Sequence, residues 1–417
     1  MQKLEAAVIH MEKILDEISF LIGEKIDCNE GLLKQRSFDL FSNETLDFLS
    51  DISDTILKSP EIRNYPDVAT FAFYCRRTNL NFLKNNHLNA IDLRIGRGIL
   101  FHVAPGNVPV NFAYSLLAGL VTGNINIIRV PSKNFDQVNL IVNAIKIVLL
   151  YEKYKSVFSK RLYLVKYKRE SGATAFFSHL CDVRIIWGGD QTINDIRKSQ
   201  IPPKSIEITF ADRYSISIIN AKKYDEFNDK NKLALDFYND TYLFDQNACT
   251  APQTIYWHGS NYDIDKAKNI FWKLLQQKLI DKKFELQPIL SVDKLVTFYS
   301  QAILQGDINM GPYYTNEIWR VNNSSVHSDM NLFKCGSGYF NEVSITNLDE
   351  IIPAVNRKFQ TIGYFGFNKS EITNWITINK PIGIDRIVPI GRTMDFSLIW
   401  DGFDLVNSLS RVIFLAK

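Results

Sequence analysis

Cys249 stands in Asn247-Ala248-Cys249-Thr250-Ala251, a run of small residues followed by Pro252 and the apolar stretch 254–257. Small neighbours leave a sulfur approachable. A thiol at a turn or helix start can have its anion favoured by backbone N–H groups, as a nucleophile requires. Against this stands the ordinary fate of cysteine, which is among the most often buried and inert residue types. A second candidate is His102-Val103-Ala104-Pro105-Gly106-Asn107-Val108-Pro109, which sets one carboxamide at a strand end in a loop stiffened by two prolines. A fixed carboxamide can donate to a developing oxyanion. Taken alone, however, the loop is better read as a cap on the following helix or as Asn107 satisfying loop carbonyls.

The turn Trp187-Gly188-Gly189-Asp190, ahead of a helix over about 192–198, can admit a cofactor phosphate or nicotinamide at the helix N-terminus. Gly-Gly at a strand exit is common, and neither GxGxxG nor GxxxxGK[ST] accompanies it. The six histidines (10, 87, 102, 179, 258 and 327) lack HExxH or any other compact ligand spacing, so no metal site is expected. His102 is a neighbour of the Asn107 loop, although a histidine at a strand end is more often structural. Five cysteines, at 28, 75, 181, 249 and 335, form an odd and widely separated set that fits a reducing compartment.

The elements that must position these groups follow from pattern. A chain of 417 residues, 46% hydrophobic and 22% charged, is long enough for two or more packed lobes. Its net charge of +3 is spread along the chain without a basic block, so no nucleic-acid partner is expected. MQKLEAAVIHMEKIL lacks the order of a secretory signal, and the stretch 141–150, interrupted by Asn143 and Lys146, is too short to span a bilayer. A cytoplasmic protein without a membrane span is the expectation.

Leu4, Val8, Met11, Leu15 and Ile18 recur at helical spacing, which makes the first ninety residues a helical layer. DLRIGRGILFHVAP then reads as strands on either side of Gly96 to Gly98. A helix through FAYSLLAGLVTG, a strand at 125–130, a helix at 135–154, a strand at 162–165, a helix at 174–180 and a strand at 183–187 alternate as in a doubly wound sheet. Further strands are expected at 206–210 and 215–219, and a helix at 232–238. A second α/β lobe beginning near Phe210 carries a helix at 264–279, a strand at 295–299 and the glycine-rich CGSGYF. The last forty residues read as strands and arms packing across lobes or subunits.

Together these segments resemble the aldehyde dehydrogenase superfamily, specifically its long-chain acyl-CoA reductase branch, the fatty-acid reductases of bacterial bioluminescence. The resemblance runs through DLRIGRGILFHVAPGNVP, LLAGLVTGNINIIRVPSK, IIWGGD, FADRYS and DQNACTAPQ to TIGYFGF, GIDRIVPIGRTMDF and WDGFDL, from about Asp92 to the C-terminus. It implies an α/β, aldehyde dehydrogenase-like fold. The divisions would be a helical part over 1–90, a Rossmann-type cofactor lobe over 91–209, a catalytic lobe over 210–378 and a bridging or oligomerisation arm over 379–417.

The resemblance also distributes roles. PGNVP matches the loop with the oxyanion asparagine, here Asn107, and DQNACTAP the nucleophile segment, here Cys249. IIRVPSK places Arg129, Ser132 and Lys133 near the adenosine end of a nicotinamide cofactor, and Gly188-Gly189 beside the nicotinamide. Lys133 stands where NAD-preferring relatives commonly carry a carboxylate, and a cation there favours the 2′-phosphate of NADPH. The superfamily's water-activating glutamate falls at Thr209, with Glu207 two residues earlier on the same strand face. Loss of that base suits thioester reduction better than hydrolytic oxidation.

The cycle so implied is attack of Cys249 on an acyl-CoA or other acyl thioester, departure of the carrier thiol, and hydride reduction of the acyl-cysteine to an aldehyde. His102, Glu207 and Thr209 are auxiliary positions. Oxidation of an aldehyde by the same cysteine is the enzymatic alternative, and a silent scaffold in an acyl-transfer assembly is the non-enzymatic one. A homodimer or tetramer is expected, and an acyl-transfer partner protein is compatible with it.

Overall fold

The computed structural model describes residues 12–24, 32, 35–88, 93–312 and 315–416. Leu4, Val8 and Met11 lie outside them. The chain divides into two compact units, residues 1–211 with 403–417 and residues 212–402.

Up to residue 211 the strands of the first unit are, in chain order, β1 (Ser19–Ile22), β2 (Arg94–Gly96), β3 (Ile99–Val103), β4 (Ile125–Arg129), β5 (Leu162–Lys166), β6 (Val183–Trp187) and β7 (Ile206–Phe210). Six of them form one sheet in the order β1-β5-β4-β3-β6-β7, parallel except for β1. Every residue of β3 and of β6 is buried, because helices cover both faces of a parallel sheet. The expected helix after the Asn107 loop is Asn111–Val121, apolar almost all round and buried to match. Gly119 is required there: a Cβ would stand 1.8 Å from the Asn126 side-chain oxygen on β4.

The helical first ninety residues are interrupted by β1, which adds an antiparallel edge to β5. Its four residues SFLI are too short for a period to emerge. The helix Asn43–Lys58 is the main buried helix of this layer. Ser42 accepts from the Thr45 N–H at 3.2 Å to cap it, and Phe48 stacks on Phe158 at 4.2 Å. Burial of Leu46, Phe48, Leu49, Ile52 and Ile56, at about 1.5–3 kcal/mol each, outweighs the ~1 kcal/mol of the cap.

The second unit contains β8 (Tyr214–Asn220), β9 (Pro252–His258), β10 (Ile308–Met310), β11 (Trp319–Asn323), β12 (Tyr339–Ile345), β13 (Phe359–Phe365) and β14 (Arg386–Pro389). They form a sheet in the order β10-β11-β12-β9-β8-β13-β14, parallel except at β10. Its core on one side gathers Phe237, Trp257, Phe271, Trp272 and Phe340, and on the other Tyr214, Ile216, Tyr256, Phe359 and Ile362. Glu342 is buried on β12, yet it accepts from Trp257 Nε1 at 2.8 Å, Trp272 Nε1 at 2.9 Å and Arg320 Nε at 2.8 Å. A buried carboxylate survives only with such partners.

One expectation is corrected. Residues 295–299 are not a strand but part of the helix Pro288–Gln305; the apolar run LVTFY misleads because this helix turns its polar Lys294 and Gln301 inward. Residues 379–417 divide between the two units. β14 completes the second sheet beside β13, whereas Leu405, Val406 and Leu409 are buried in the first unit and the strand Ser410–Val412 pairs antiparallel with β2. Among the described residues no helix is long and apolar enough to cross a membrane.

Candidate active site

Three loops leave the carboxyl ends of neighbouring strands in the first sheet. β4 runs out into residues 130–133, β3 into the Asn107 loop and β6 into Gly188-Gly189; Val103 lies level with Arg129 on one side and Ile186 on the other. The strand order turns back between β3 and β6, since the chain proceeds outward through β4 and β5 before returning to β6 and β7. Open α/β sheets bind ligands at the carboxyl side of such a switch point.

The side chains on these loops differ in how far they are committed. Asn107 is exposed, and its carboxamide makes no hydrogen bond among the described residues. It does not cap the next helix, whose N-cap is Val110 without a side-chain bond. Arg129 is committed: its guanidinium lies 4.7 Å over the Tyr167 ring. Ser132 and Lys133 are exposed; Lys133 approaches only the Phe135 ring, at 5.2 Å, and has no ion pair among the described residues. Gly189 is the N-cap of the helix Asp190–Arg197, and a side chain there would meet nothing within 4 Å. That open, donor-rich helix start fits a phosphate or amide group.

Below the loops, the auxiliary candidates are structural. His102 is fully buried on β3, with Nδ1 2.7 Å from Ser115 Oγ and Nε2 3.1 Å from Asn126 Oδ1. Trp187 Nε1 donates to the same Ser115 oxygen at 3.1 Å. The resulting order, Trp187 to Ser115 to His102 to Asn126, puts the imidazole proton on Nε2. Burial pushes the His102 pKa down to about 3, against the Asn126 bond. It is therefore neutral at working pH, and its share of stability is lost as pH falls from about 6.5 toward 3, where only the unfolded chain takes up the proton.

Glu207 accepts from Arg184 Nε at 2.8 Å and from Arg197 Nε at 2.7 Å, one guanidinium on each carboxylate oxygen. Arg184 also donates to Ser178 Oγ and the Ser199 carbonyl. Glu207, one of the auxiliary positions, is thus the centre of an ion-pair cluster that is buried at Arg184 and half-exposed at Arg197. Thr209, two residues on along β7, faces the same way.

Cys249 lies in the second unit, on a clamped loop. Asp245 and Gln246 both take left-handed backbone, with φ of 49° and 59°. The buried Gln246 side chain holds that turn: its amide donates to the Pro252 and Tyr339 carbonyls at 2.8 and 3.1 Å, and its oxygen accepts from the Gly338 N–H at 2.8 Å. Gly338 has φ of 86°, and a Cβ would fall 1.8 Å from the Glu317 carbonyl, which is why the CGSGYF segment needs glycine there. Ser215 donates to the Cys249 carbonyl at 2.6 Å and ties the loop to β8.

Among the described residues the sulfur has one polar contact, from Gln360 Nε2 at 3.5 Å. Gln360 also donates to Asp401, whose other neighbour is Arg213, 4.0 Å away. Cys249 keeps partial exposure, yet burial and then the negative charge of Asp401 push its thiol up to about 11, opposed by Gln360, Lys334 and Arg213. Backbone N–H groups do not dominate, contrary to the expectation from a turn. Gln360, Asp401 and Arg213 went unassigned in the sequence, although Arg213 and Asp401 lie inside the FADRYS and WDGFDL segments and Gln360 directly precedes TIGYFGF. Among the described residues no group of three His, Cys, Asp or Glu side chains is arranged to hold a metal ion.

This architecture is that of the aldehyde dehydrogenases. A lactaldehyde dehydrogenase structure covers 90% of this chain and 87% of its own at a TM-score of 0.62 and 13% identity. The NADP complex of glyceraldehyde-3-phosphate dehydrogenase GapN from Methanocaldococcus jannaschii covers 89% and 88% at 0.60 and 13%. Within that fold the chain belongs to the acyl-CoA reductase (LuxC) family, whose model matches residues 76–413. Curated relatives include the long-chain acyl-protein thioester reductases of Aliivibrio fischeri, 26% identical over 72% of this chain, and of Photorhabdus laumondii, 25% identical over 76%. The match spans 60% and 63% of the lengths of these two relatives.

Proposed function

We propose that this chain reduces an acyl thioester to the aldehyde, with Cys249 as nucleophile, Asn107 as oxyanion donor and NADPH as reductant. The observation that carries the reading is a partly accessible thiol on a rigid loop whose sulfur meets a single carboxamide donor. Cys249 sulfur bonds to the acyl carbon, the carbon–sulfur bond to the carrier breaks, and the carrier thiol leaves with a proton. Gln360, Lys334 and Arg213 favour the thiolate in that step, whereas Asp401 restrains it. A reduced nicotinamide held by Lys133 and the Gly189 helix start would supply the hydride to the acyl carbon on Cys249, and cleavage of the carbon–sulfur bond of that hemithioacetal would free the aldehyde and return the thiol. Thr209, a side chain without a basic group at the water-activating position of the superfamily, leaves the acyl-cysteine protected from hydrolysis.

The residues fit the cofactor: Lys133 is exposed and has no ion pair among the described residues, and Gly189 leaves the start of its helix open. Lys133 supports NADPH over NADH, a charge-assisted contact being worth roughly 1.5–3 kcal/mol before desolvation. The family description names coenzyme A as carrier and the curated relatives a protein; the thioester is common to both. A homodimer or tetramer in a reducing cytoplasm completes the reading.

Rapid quench with radiolabelled acyl-CoA and with an acylated carrier protein, each with NADPH or NADH, tests it. The label is expected on the peptide containing Cys249, to be absent in Cys249→Ala, and to be chased to aldehyde faster by NADPH. Undiminished acylation of Cys249→Ala would sink the assignment.

A further inference from the structure

The helix Pro288–Gln305 is built inside out. Its fully buried positions are Lys294 and Gln301. Lys294 Nζ donates to the Asn316 carbonyl at 2.7 Å, while Gln301 donates to Asn341 Oδ1 at 2.8 Å and accepts from the Tyr339 hydroxyl at 2.8 Å. These bonds fix the helix's rotation, so its apolar side chains cannot turn inward without stranding buried polar groups. Ile289, Val292, Val296, Tyr299 and Ile303 face solvent at spacings of three and four, and Leu295 and Leu304 flank them; Ile303 is 82% exposed and Leu304 69%.

We infer that this face is a self-association surface which pairs antiparallel with the same helix of a second copy. The inference does not rest on the proposed chemistry. In heptad terms the five seam residues occupy a and d, and Lys294 and Gln301 both occupy f, the position opposite the seam. The seam is also close to symmetric about Val296, with Ile289 and Ile303 seven residues to either side, Val292 four before and Tyr299 three after. In an antiparallel pair centred there, Ile289 is level with Ile303 of the second copy, Val292 lies one residue, about 1.5 Å, off the level of Tyr299, and Val296 meets itself on the two-fold axis of an isologous interface.

Area and charge agree with that occupant. The seven apolar side chains offer roughly 700–800 Å² of accessible surface, about what one partner contributes to a standard-size interface. The helix exposes a single charge, Asp293. In the antiparallel pair the two copies of it stand about 9 Å apart along the axis rather than opposed.

The test is sedimentation equilibrium of the full chain from micromolar to tens of micromolar, alongside Val296→Asp, Val296→Cys and Ile289→Cys. Val296→Asp lies on the solvent face and is expected to halve the mass of the assembled species while circular dichroism is unchanged. Under mild oxidation Val296→Cys is expected to form a covalent dimer above the background of the chain's own cysteines. Ile289→Cys is not, because its two copies lie about 21 Å apart along the axis. A monomeric parent chain, an unchanged mass for folded Val296→Asp, or equal cross-linking of the two cysteine variants would overturn the inference. So would a monomer that binds neutral phosphatidylcholine vesicles through this face, which would make it a lipid-docking surface instead.

Discussion

His102 and Asn107 are five residues apart and meet opposite fates. The histidine, inside β3, has both ring nitrogens bonded and is held neutral; the asparagine, just beyond the strand end, is exposed with no bond among the described residues. The same contrast separates Glu207, with both oxygens on guanidiniums, from Lys133, with no carboxylate partner among the described residues. Within the first sheet, a polar group inside a strand is consumed by the architecture, and one on a loop leaving the carboxyl edge keeps its bonding capacity. Cys249 in the second unit falls between, with a clamped backbone and a sulfur that has one long contact. Residual capacity, rather than residue type, marks the groups fit for chemistry.

That contrast breaks most sharply at Asn107. Asn107→Ala is expected to lower acylation and reduction 10²- to 10³-fold with little change in thermal midpoint, because it removes a transition-state donor and no structural bond. Normal single-turnover rates would make it an ordinary loop residue. Glu207→Gln should do the reverse. It leaves Arg184 and Arg197 without their counter-charge, and about 2–4 kcal/mol of stability should be lost in urea unfolding while acylation by the folded fraction is retained. A large rate loss in stable Glu207→Gln protein would return that carboxylate to the chemistry.

The smallest expected effect sharpens the intermediate case. Burial and then the Asp401 charge hold the Cys249 thiol up, so Asp401→Asn should lower the thiol pKa from about 11 and speed alkylation at pH 8 by roughly 2- to 5-fold, the larger thiolate fraction being partly offset by weaker nucleophilicity. The sign is fixed: removing a negative neighbour favours the thiolate and moves the alkylation midpoint to lower pH. Asparagine suits the position, since Asp401 has φ of 49° and the carboxamide retains an acceptor for Gln360. An alkylation profile that does not move would show that burial alone sets the thiol.

The buried strands were the most legible part of the fold. β6 and β7 coincide with the expected 183–187 and 206–210: β6 is a largely apolar run buried on both faces, and the edge strand β7 alternates Ile206, Ile208 and Phe210 with Glu207 and Thr209. Residues 135–154 read as one helix and are two, Asp136–Leu149 and Glu152–Phe158; the break at Leu150 and Tyr151 carries neither glycine nor proline to announce it. The helix Pro288–Gln305 defeated pattern reading because hydrophobicity points inward only when a helix serves one core. Of the candidate site, Cys249 and Asn107 are proposed through family segments, whereas no segment assigns a role to Gln360 or Asp401: their proximity to the thiol depends on long-range pairing of distant strands and turns.

The return of residues 403–417 to the first unit has a consequence for synthesis. Arg97 donates its backbone N–H to the Leu409 carbonyl and its side chain to the Ser408 carbonyl, and the Asn124 amide donates to Leu409 at 2.9 Å. A ribosome adding 5–20 residues per second delivers those acceptors roughly 15–60 s after Arg97 has been made. Through that interval the first sheet can assemble, but β2 has no strand to pair with, while the whole of the second unit is being translated. Nascent chains of this protein are thus expected to lock their first unit last, and a truncation before Leu405 should leave a folded second unit attached to an unfinished first one.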